Sequence, residues 1–298
     1  MKLYFDEEQV RQHLQMEELI LAMEKALIDF SAGKVTQPMR FGMTVDPPGG
    51  FFFIMPALAE GLGVKIVTFY PSNEKHGLPT HMATIFLVDP KTGEPLAVMD
   101  GRLITEMRTA AVSAVATKLL APLDVRVLAI LGSGVQAHSH VQALRLVRKF
   151  EEIRVWSRTP QHAERFAEEF GAKLMSAESA VRDADVVVTA TSSRTPVLQG
   201  KWLKAGCHVN AIGACRPDWR ELDDEAMANV IFVDSREGAT KESGDVILSG
   251  AKIYAEIGEA LAGKIAPRAN ETTIFKSLGM AVEDIAAATL VYRSIAGD

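Results

Sequence analysis

Residues Val125–Ala137 constrain what this chain can fold into more than any other stretch. An apolar run, Val125–Leu131, leads into Gly132-Ser-Gly-Val-Gln-Ala137 and then into a helical pattern. The spacing is GxGxxA. Gly132 permits a tight turn, Gly134 lets the backbone approach a pyrophosphate, and Ala137 allows the helix to lie close on the sheet. The helix N-terminus behind the turn offers unsatisfied N–H groups and the positive end of its dipole to an anion. Taken alone, this spacing also occurs in plain strand–turn–helix connections. Here a strand precedes it, a helix follows, and a second strand, Ile153–Trp156, arrives at the right distance. The expectation is therefore a nicotinamide dinucleotide site built on the glycine turn, with Gly132 and Gly134 against the pyrophosphate and Ala137 beneath it.

The second strand ends in Val155-Trp-Ser157-Arg158-Thr159. A protein that binds NAD usually carries an Asp or Glu here, about 20 residues past the motif, for the ribose hydroxyls. No acid stands at this tip. Ser157, Arg158 and Thr159 offer donors and a cation that suit a 2′-phosphate, which favours NADPH over NADH. The alternative is that Arg158 is a solvated loop arginine and that either cofactor is used.

A length of 298 residues points to one large or two modest domains. Beyond Val125, the apolar runs Val186–Thr191, Val209–Ile212 and Ile231–Val233 do not alternate and are separated by helical or loop segments. That pattern predicts an α/β, Rossmann-type doubly wound parallel sheet over residues 121–279. Earlier, Leu19, Ala22, Met23, Ala26, Leu27 and Phe30 recur at helical spacing, with Gly33 as a stop. Short β-rich runs follow: Arg40–Val45, Phe51–Met55, Lys65–Tyr70, Ala83–Val88 and Leu96–Met99. Pro47-Pro-Gly-Gly, Asp89-Pro and Lys91-Thr-Gly punctuate them, so an antiparallel or mixed sheet is expected. The last helix, Met280–Ile295, carries Val282, Ile285, Ala286, Leu290 and Ile295. It is expected to return to the N-terminal part, giving a second, α+β domain of residues 1–120 with 280–298.

Composition excludes several classes. Lys and Arg total 32 against 38 Asp and Glu, a net charge of −6, so there is no basic excess to neutralise nucleic-acid phosphates. With 48% hydrophobic and 23% charged residues, the chain is globular rather than disordered. Cys207 and Cys215 are its 2 cysteines, without CxxC spacing, so neither a disulfide framework nor a metal site is expected. The start, Met1-Lys-Leu-Tyr-Phe-Asp-Glu-Glu, turns acidic at once and does not read as a signal peptide. No apolar run approaches the roughly 18 residues of a membrane span. A cytoplasmic protein without a membrane partner is the expectation.

Several charges fall where apolar residues belong. Lys65 opens the run Lys65-Ile-Val-Thr-Phe-Tyr, where it could be solvated. Arg108 is more telling, because Ile104, Arg108, Val112, Val115 and Leu119 share one helical stripe. An arginine there must snorkel, pair with a protein acid, or meet an anionic ligand. Arg40, at the start of a β-rich run, is a third candidate cation. Three such cations suit a small carboxylate, which arginine grips with two parallel hydrogen bonds. Spacing alone does not bring them together. His81 is a candidate structural hydrogen-bonder or proton donor. Asp223-Asp-Glu reads as a helix N-terminus. Glu242, in the polar stretch Lys241–Asp245 after the Ile231–Val233 strand, is a candidate to reach a ligand in the crevice at the strand ends.

The run Val98-Met-Asp-Gly-Arg-Leu-Ile-Thr-Glu-Met-Arg-Thr-Ala-Ala-Val-Ser resembles the ornithine cyclodeaminase/mu-crystallin family. Pro217-Asp-Trp-Arg-Glu-Leu-Asp-Asp, Glu242-Ser-Gly-Asp-Val-Ile-Leu-Ser-Gly and Phe275-Lys-Ser-Leu-Gly-Met-Ala-Val-Glu-Asp are similar to its mu-crystallin branch. The likeness extends over essentially the whole chain. It implies an NADPH-dependent ketimine reductase acting on piperideine-2-carboxylate or pyrroline-2-carboxylate. It also implies a homodimer formed through the discontinuous α+β domain, and a capacity to bind thyroid hormone. The resemblance assigns Arg40, Lys65 and Arg108 to the substrate carboxylate, with Lys65 and Arg108 as catalytic groups, and matches Glu242 to a ligand-contacting position. It places Thr80, His81, Arg108, Ser133, Val135, Gln136, Ser157, Arg158, Thr159, Thr191, Cys215 and Ser277 against the cofactor.

One departure bears on the reaction. Cyclodeaminases of this family carry a catalytic aspartate just after the glycine of the strand matching Asn210-Ala-Ile-Gly213, and Cys215 occupies its place here. A thiol in an apolar setting is a poor general base. The acid after the second strand is missing as well, so both changes favour reduction over cyclodeamination. Lys65, His81, Asp218 and water remain candidate proton sources, and Trp219 beside Asp218 fits a structural corner equally well. The alternatives are alanine-dehydrogenase-like reductive amination, condensation of an alkylamine with an α-keto acid, and ornithine cyclodeamination. In another class stands an NADPH- or thyroid-hormone-binding crystallin-type protein without turnover. Intact Lys65 and Arg108 speak against that last reading, since a bare binder has little use for buried cations.

Overall fold

The computed structural model describes residues 4–297. They begin with β1 (Tyr4–Phe5), α1 (Glu7–His13) and α2 (Met16–Ser31). Five strands follow: β2 (Phe41–Val45), β3 (Gly50–Leu58), β4 (Leu62–Phe69), β5 (His81–Val88) and β6 (Pro95–Asp100). After α3 (Arg102–Leu120) come β7 (Val127–Leu131), α4 (Val135–Val147), β8 (Glu152–Trp156), α5 (Pro160–Phe170) and β9 (Lys173–Leu174). Next are α6 (Ala177–Val181), β10 (Val186–Thr189), β11 (His208–Ala211), α7 (Asp224–Met227) and β12 (Val230–Val233). The chain closes with α8 (Arg236–Glu242), α9 (Gly244–Ser249), β13 (Ile253–Glu256), α10 (Ile257–Leu261), β14 (Thr273–Lys276) and α11 (Ala281–Ala296).

Two compact units result, Met1–Arg108 with Met280–Asp298, and Thr109–Gly279. The division falls inside α3 rather than at residue 120. A boundary within a continuous helix leaves no turn residue in the sequence to mark it.

The first unit holds a six-stranded sheet in the order β1-β6-β5-β4-β3-β2. Its pairs are antiparallel except β1 with β6, so the sheet is mixed. Strand alternation sorts its side chains onto two faces. Met55, Ala57, Lys65, Val67, Ala83, Ile85, Leu87 and Met99 are buried on the inner face, where α11 packs on β3, β4 and β5 and also on α2. Phe41, Met43, Ile66 and Met82 stand exposed on the outer face. Helix α2 buries the Leu19, Met23, Ala26 and Leu27 stripe and ends at Ala32, with Gly33 behind it at φ +72°. Lys65 does not open its strand as the sequence suggested. It is the fourth residue of β4, in register with Met55 and Ile85, because Gly61 and Gly63 read as punctuation while the strand runs through Gly63.

The second unit is an eight-stranded, all-parallel sheet in the order β13-β12-β14-β11-β10-β7-β8-β9. Its central strands are buried from end to end, which explains their unalternated apolar sequences. Strand order reverses at β7: β8 lies on one side and β10 on the other. That switch point is where open α/β sheets bind ligands. Strand β14, inserted between β11 and β12, escaped the sequence reading because Thr273-Ile-Phe-Lys276 is short and ends in a charge. No helix among the described residues is long and apolar enough to cross a membrane.

Candidate active site

In the second unit the glycine turn is built as its spacing requires. Gly132 has φ +121°, and a Cβ there would collide with the Ala190 carbonyl. Any other residue is therefore both strained and obstructed. Gly134 is the N-cap of α4 and provides no side-chain cap. A Cβ on it would meet nothing within 4 Å, so the space before the helix N-terminus is open to a ligand. Gln136, in the first helical turn, keeps its Oε1 buried without a hydrogen-bond partner. Open backbone, a dipole end and an acceptor in want of a donor fit a dinucleotide, with its pyrophosphate and ribose hydroxyls. Ala137 is fully buried beneath the turn, as close helix packing demands.

The remaining cofactor candidates of this unit lie at strand ends. Ser157, Arg158 and Thr159 follow β8; Arg158 is exposed, and Thr159 is the N-cap of α5 ahead of Pro160. Thr191 follows β10 and gives both its N–H and its hydroxyl to the buried Glu221. Ser277 follows β14 and donates to Asp234 Oδ2 at 3.1 Å. Ser133 is half-buried and Val135 exposed. Cys215 is exposed, which corrects the apolar setting assumed for it. Glu242 is half-buried at the C-terminal end of α8. Its neighbour Asp245, read from sequence as part of a polar stretch, is wholly buried. Asp218 is exposed and Trp219 buried, and Asp223 caps α7 by accepting from Ala226 N. Among the described residues, no group of three or more His, Cys, Asp or Glu side chains could hold a metal ion.

The first unit carries the charge cluster. Lys65 is 2% exposed and Arg108 4%. Their partners are Glu283 and Asp284, fully buried in the first turn of α11. Lys65 Nζ lies 2.6 Å from Asp284 Oδ2. Arg108 donates Nε to Asp284 Oδ1 at 2.9 Å and Nη1 to Glu283 Oε2 at 2.7 Å. Glu283 also accepts from Met280 N at 3.1 Å and so closes the helix N-terminus. Of the possibilities open to a buried arginine, pairing with protein acids is thus realised. Sequence reasoning missed both acids, because carboxylates in a first helical turn read as ordinary dipole partners. Their one signal was position: Glu283 and Asp284 sit between the buried Val282 and Ile285.

Burial sets the electrostatics here. It lowers the Lys65 pKa to about 8, opposed by Asp284 and reinforced by Arg108 and Arg40. Burial would raise the Asp284 carboxyl, but Arg108 and Lys65 outweigh it and hold the pKa below its usual value. Burial, with Lys65 and Arg108 beside it, lowers His81 to about 3. A neutral imidazole at physiological pH is the weaker form for an acid, which speaks against His81 as proton donor. Half-buried Arg40 is close enough to act on Lys65, which brings all three expected cations into one field. Thr80, beside His81, is half-buried.

Known proteins resemble this chain over its whole length. The model of the ornithine cyclodeaminase/mu-crystallin family matches residues 2–298. The Mus musculus protein named ketimine reductase mu-crystallin is 49% identical over 302 residues, covering 98% of this chain and 96% of that protein. Thermococcus litoralis Delta(1)-pyrroline-2-carboxylate reductase, solved in complex with NADH and L-proline, superposes with a TM-score of 0.95 at 38% identity. That match covers 99% of this chain and 98% of the other. An archaeal alanine dehydrogenase dimer with bound NAD gives a TM-score of 0.94 at 35% identity, covering 99% and 96%. The chain belongs to the ornithine cyclodeaminase/mu-crystallin family.

Proposed function

We propose that this protein reduces the C=N bond of cyclic ketimine carboxylates with NADPH. The observation that carries the reading is the buried cluster of Lys65, Arg108, Glu283 and Asp284 with Arg40 acting on it. Arg40, Lys65 and Arg108 supply the cations that would hold a substrate carboxylate. Asp284 fixes Lys65 and Arg108 relative to each other, so the site is ordered before substrate arrives. Bound NADPH supplies the hydride. Lys65, whose pKa burial lowers to about 8, holds the proton that the imine nitrogen gains. The relatives named for ketimine and pyrroline-2-carboxylate reduction support the same substrate class. By the family resemblance Cys215 stands where cyclodeaminases carry an aspartate, and the lack of a carboxylate at that position, rather than its surroundings, supports reduction over cyclodeamination.

The second reading is reductive amination, favoured by the likeness to the alanine dehydrogenase. NADPH and NADH oxidation, measured with five- and six-membered cyclic ketimines and with pyruvate plus ammonia, separates the two. Turnover of only the pyruvate pair would overturn the ketimine assignment, and cofactor binding without any turnover would make the protein a binder. Thyroid hormone, implied by resemblance, is read in the same assay as competition with the imine.

Arg158 is proposed to read the 2′-phosphate. A charge-assisted hydrogen bond contributes about 1.5–3 kcal/mol, so Arg158→Asp is expected to move the NADPH/NADH ratio of kcat/KM by roughly 10- to 100-fold toward NADH. An unaltered ratio would assign the phosphate to another group. We also propose a homodimer through the outer face of the first unit's sheet. Phe41, Met43, Ile66 and Met82 leave that face apolar and exposed, and a second copy is the occupant the dimeric relative suggests. Light scattering is expected to return twice the 32.4 kDa chain mass; a monomer mass would refute it.

A further inference from the structure

Glu221 lies wholly buried in the loop after β11, and its carboxylate accepts five hydrogen bonds. Oε1 takes the N–H and the hydroxyl of Thr191, each at 2.7 Å. Oε2 takes Thr189 Oγ1 at 2.9 Å, Gly213 N at 2.7 Å and Ala214 N at 3.3 Å. These donors belong to the ends of the neighbouring strands β10 and β11 and to the loops that leave them. Where the strands end, the ladder no longer supplies acceptors, and buried N–H groups must find them elsewhere. Glu221 is that acceptor for both loops at once. A Cβ on Gly213 would collide with the Thr191 carbonyl and with Glu221 Oε1, so the two loops are in close contact around the carboxylate.

The Glu221 main chain is held as firmly. Its carbonyl accepts from Val197 N and Leu198 N at 2.8 and 2.9 Å. Its N–H donates to Asp245 Oδ1 at 2.8 Å, joined there by Leu222 N at 3.0 Å. Asp245 pairs in turn with Lys276 Nζ at 3.1 Å, at the end of β14, and both are fully buried. Lys276 pairs with Asp245 and also acts on Glu221, so its charge offsets part of the cost of burying both carboxylates. In a doubly wound sheet the glycine turn on β7 takes the pyrophosphate and the β8 side the adenosine half. The β10 and β11 loops then belong to the nicotinamide half.

We propose that Glu221 is the positioning residue of the nicotinamide half of the cofactor pocket, fixing Thr191 and the Gly213–Cys215 loop at one spacing, with Asp245 and Lys276 as its support. This rests on the NADPH reading above. Glu221→Gln keeps the volume but turns an amide N–H₂ toward N–H donors. Affinity of the folded variant is to be measured for NADPH, by its fluorescence, and for 2′,5′-ADP, which carries only the adenosine half, by calorimetry. The expected result is at least a tenfold loss for NADPH with 2′,5′-ADP held within twofold. Equal losses for both ligands, or no loss for NADPH, would overturn the proposal. If that variant does not fold, Thr189→Val removes one of the five donors at constant volume. A several-fold loss confined to NADPH supports the positioning role, and unchanged NADPH affinity refutes it. Failure of the unaltered protein to bind NADPH would sink the cofactor reading itself, a different result from either.

Discussion

Arg108→Met is expected to lower stability by about 3–5 kcal/mol and to remove imine reduction as well. Methionine roughly keeps the volume, so packing alone would tolerate it. Charge decides otherwise. Glu283 and Asp284 are fully buried, and Arg108→Met removes the cation that bridges their two carboxylates. Breaking a buried ion pair from one side leaves an uncompensated charge, which is worse than never having built the pair. Urea unfolding measures the loss, and Arg108→Met combined with Glu283→Gln should recover part of it, since the second change removes the stranded charge. A single variant that unfolds like the unaltered protein would mean that the network does not hold this unit together. Activity is expected to fall at least about a hundredfold in kcat/KM, the scale for losing one member of a desolvated charge pair. Arg108→Lys separates charge from shape: it restores the cation but cannot span Asp284 and Glu283 with a rigid fork.

The same residue shows how far the sequence could be read. A helical stripe holding an arginine announced that a partner existed, but the partner lies 176 residues further along the chain. In Val282-Glu-Asp-Ile285 the apolar neighbours are the one hint that the two acids are buried, and it is a weak hint, because first-turn acids are common wherever a helix starts. Glu221 was hidden for a similar reason, flanked by Arg220 and by a leucine that leads into the Asp223 cap. The glycine turn was legible because its demands are local: a positive φ, an open approach and a small residue beneath. Lys65 was half legible. Its identity as an odd cation stood out, while its burial depended on strand register, and Gly63 obscured where the strand began. Buried charge becomes visible only when the fold brings distant segments together.

Lys65 supplies the second large effect, and it is a pH effect. Its pKa is lowered to about 8, so the ammonium predominates below that pH and is lost above it. If the ammonium supplies charge and proton to the imine, kcat/KM should fall about tenfold per pH unit above roughly pH 8, with a single proton involved. No limb near the usual histidine range is expected, since burial holds His81 neutral down to about pH 3. Asp284 stays ionised throughout, because Arg108 and Lys65 hold it below its ordinary value against the effect of burial. Lys65→Met should lose most activity and with it the alkaline limb. Lys65→Arg distinguishes the two duties of the ammonium: it keeps the charge, but a guanidinium does not release a proton in this range. Retained activity with a flat alkaline profile would leave Lys65 only an electrostatic role, whereas an inactive, folded variant supports proton donation. Stability should follow the same shift with a definite sign. Between about pH 8 and the unburied lysine's 10.5, the unfolded chain binds the proton that the folded chain has released. The contribution of this group to stability therefore rises with pH across that window, while activity falls. Opposite slopes of activity and stability above pH 8, both flattened in Lys65→Met, would tie the two effects to one side chain; an alkaline limb that survives in Lys65→Met would assign it elsewhere.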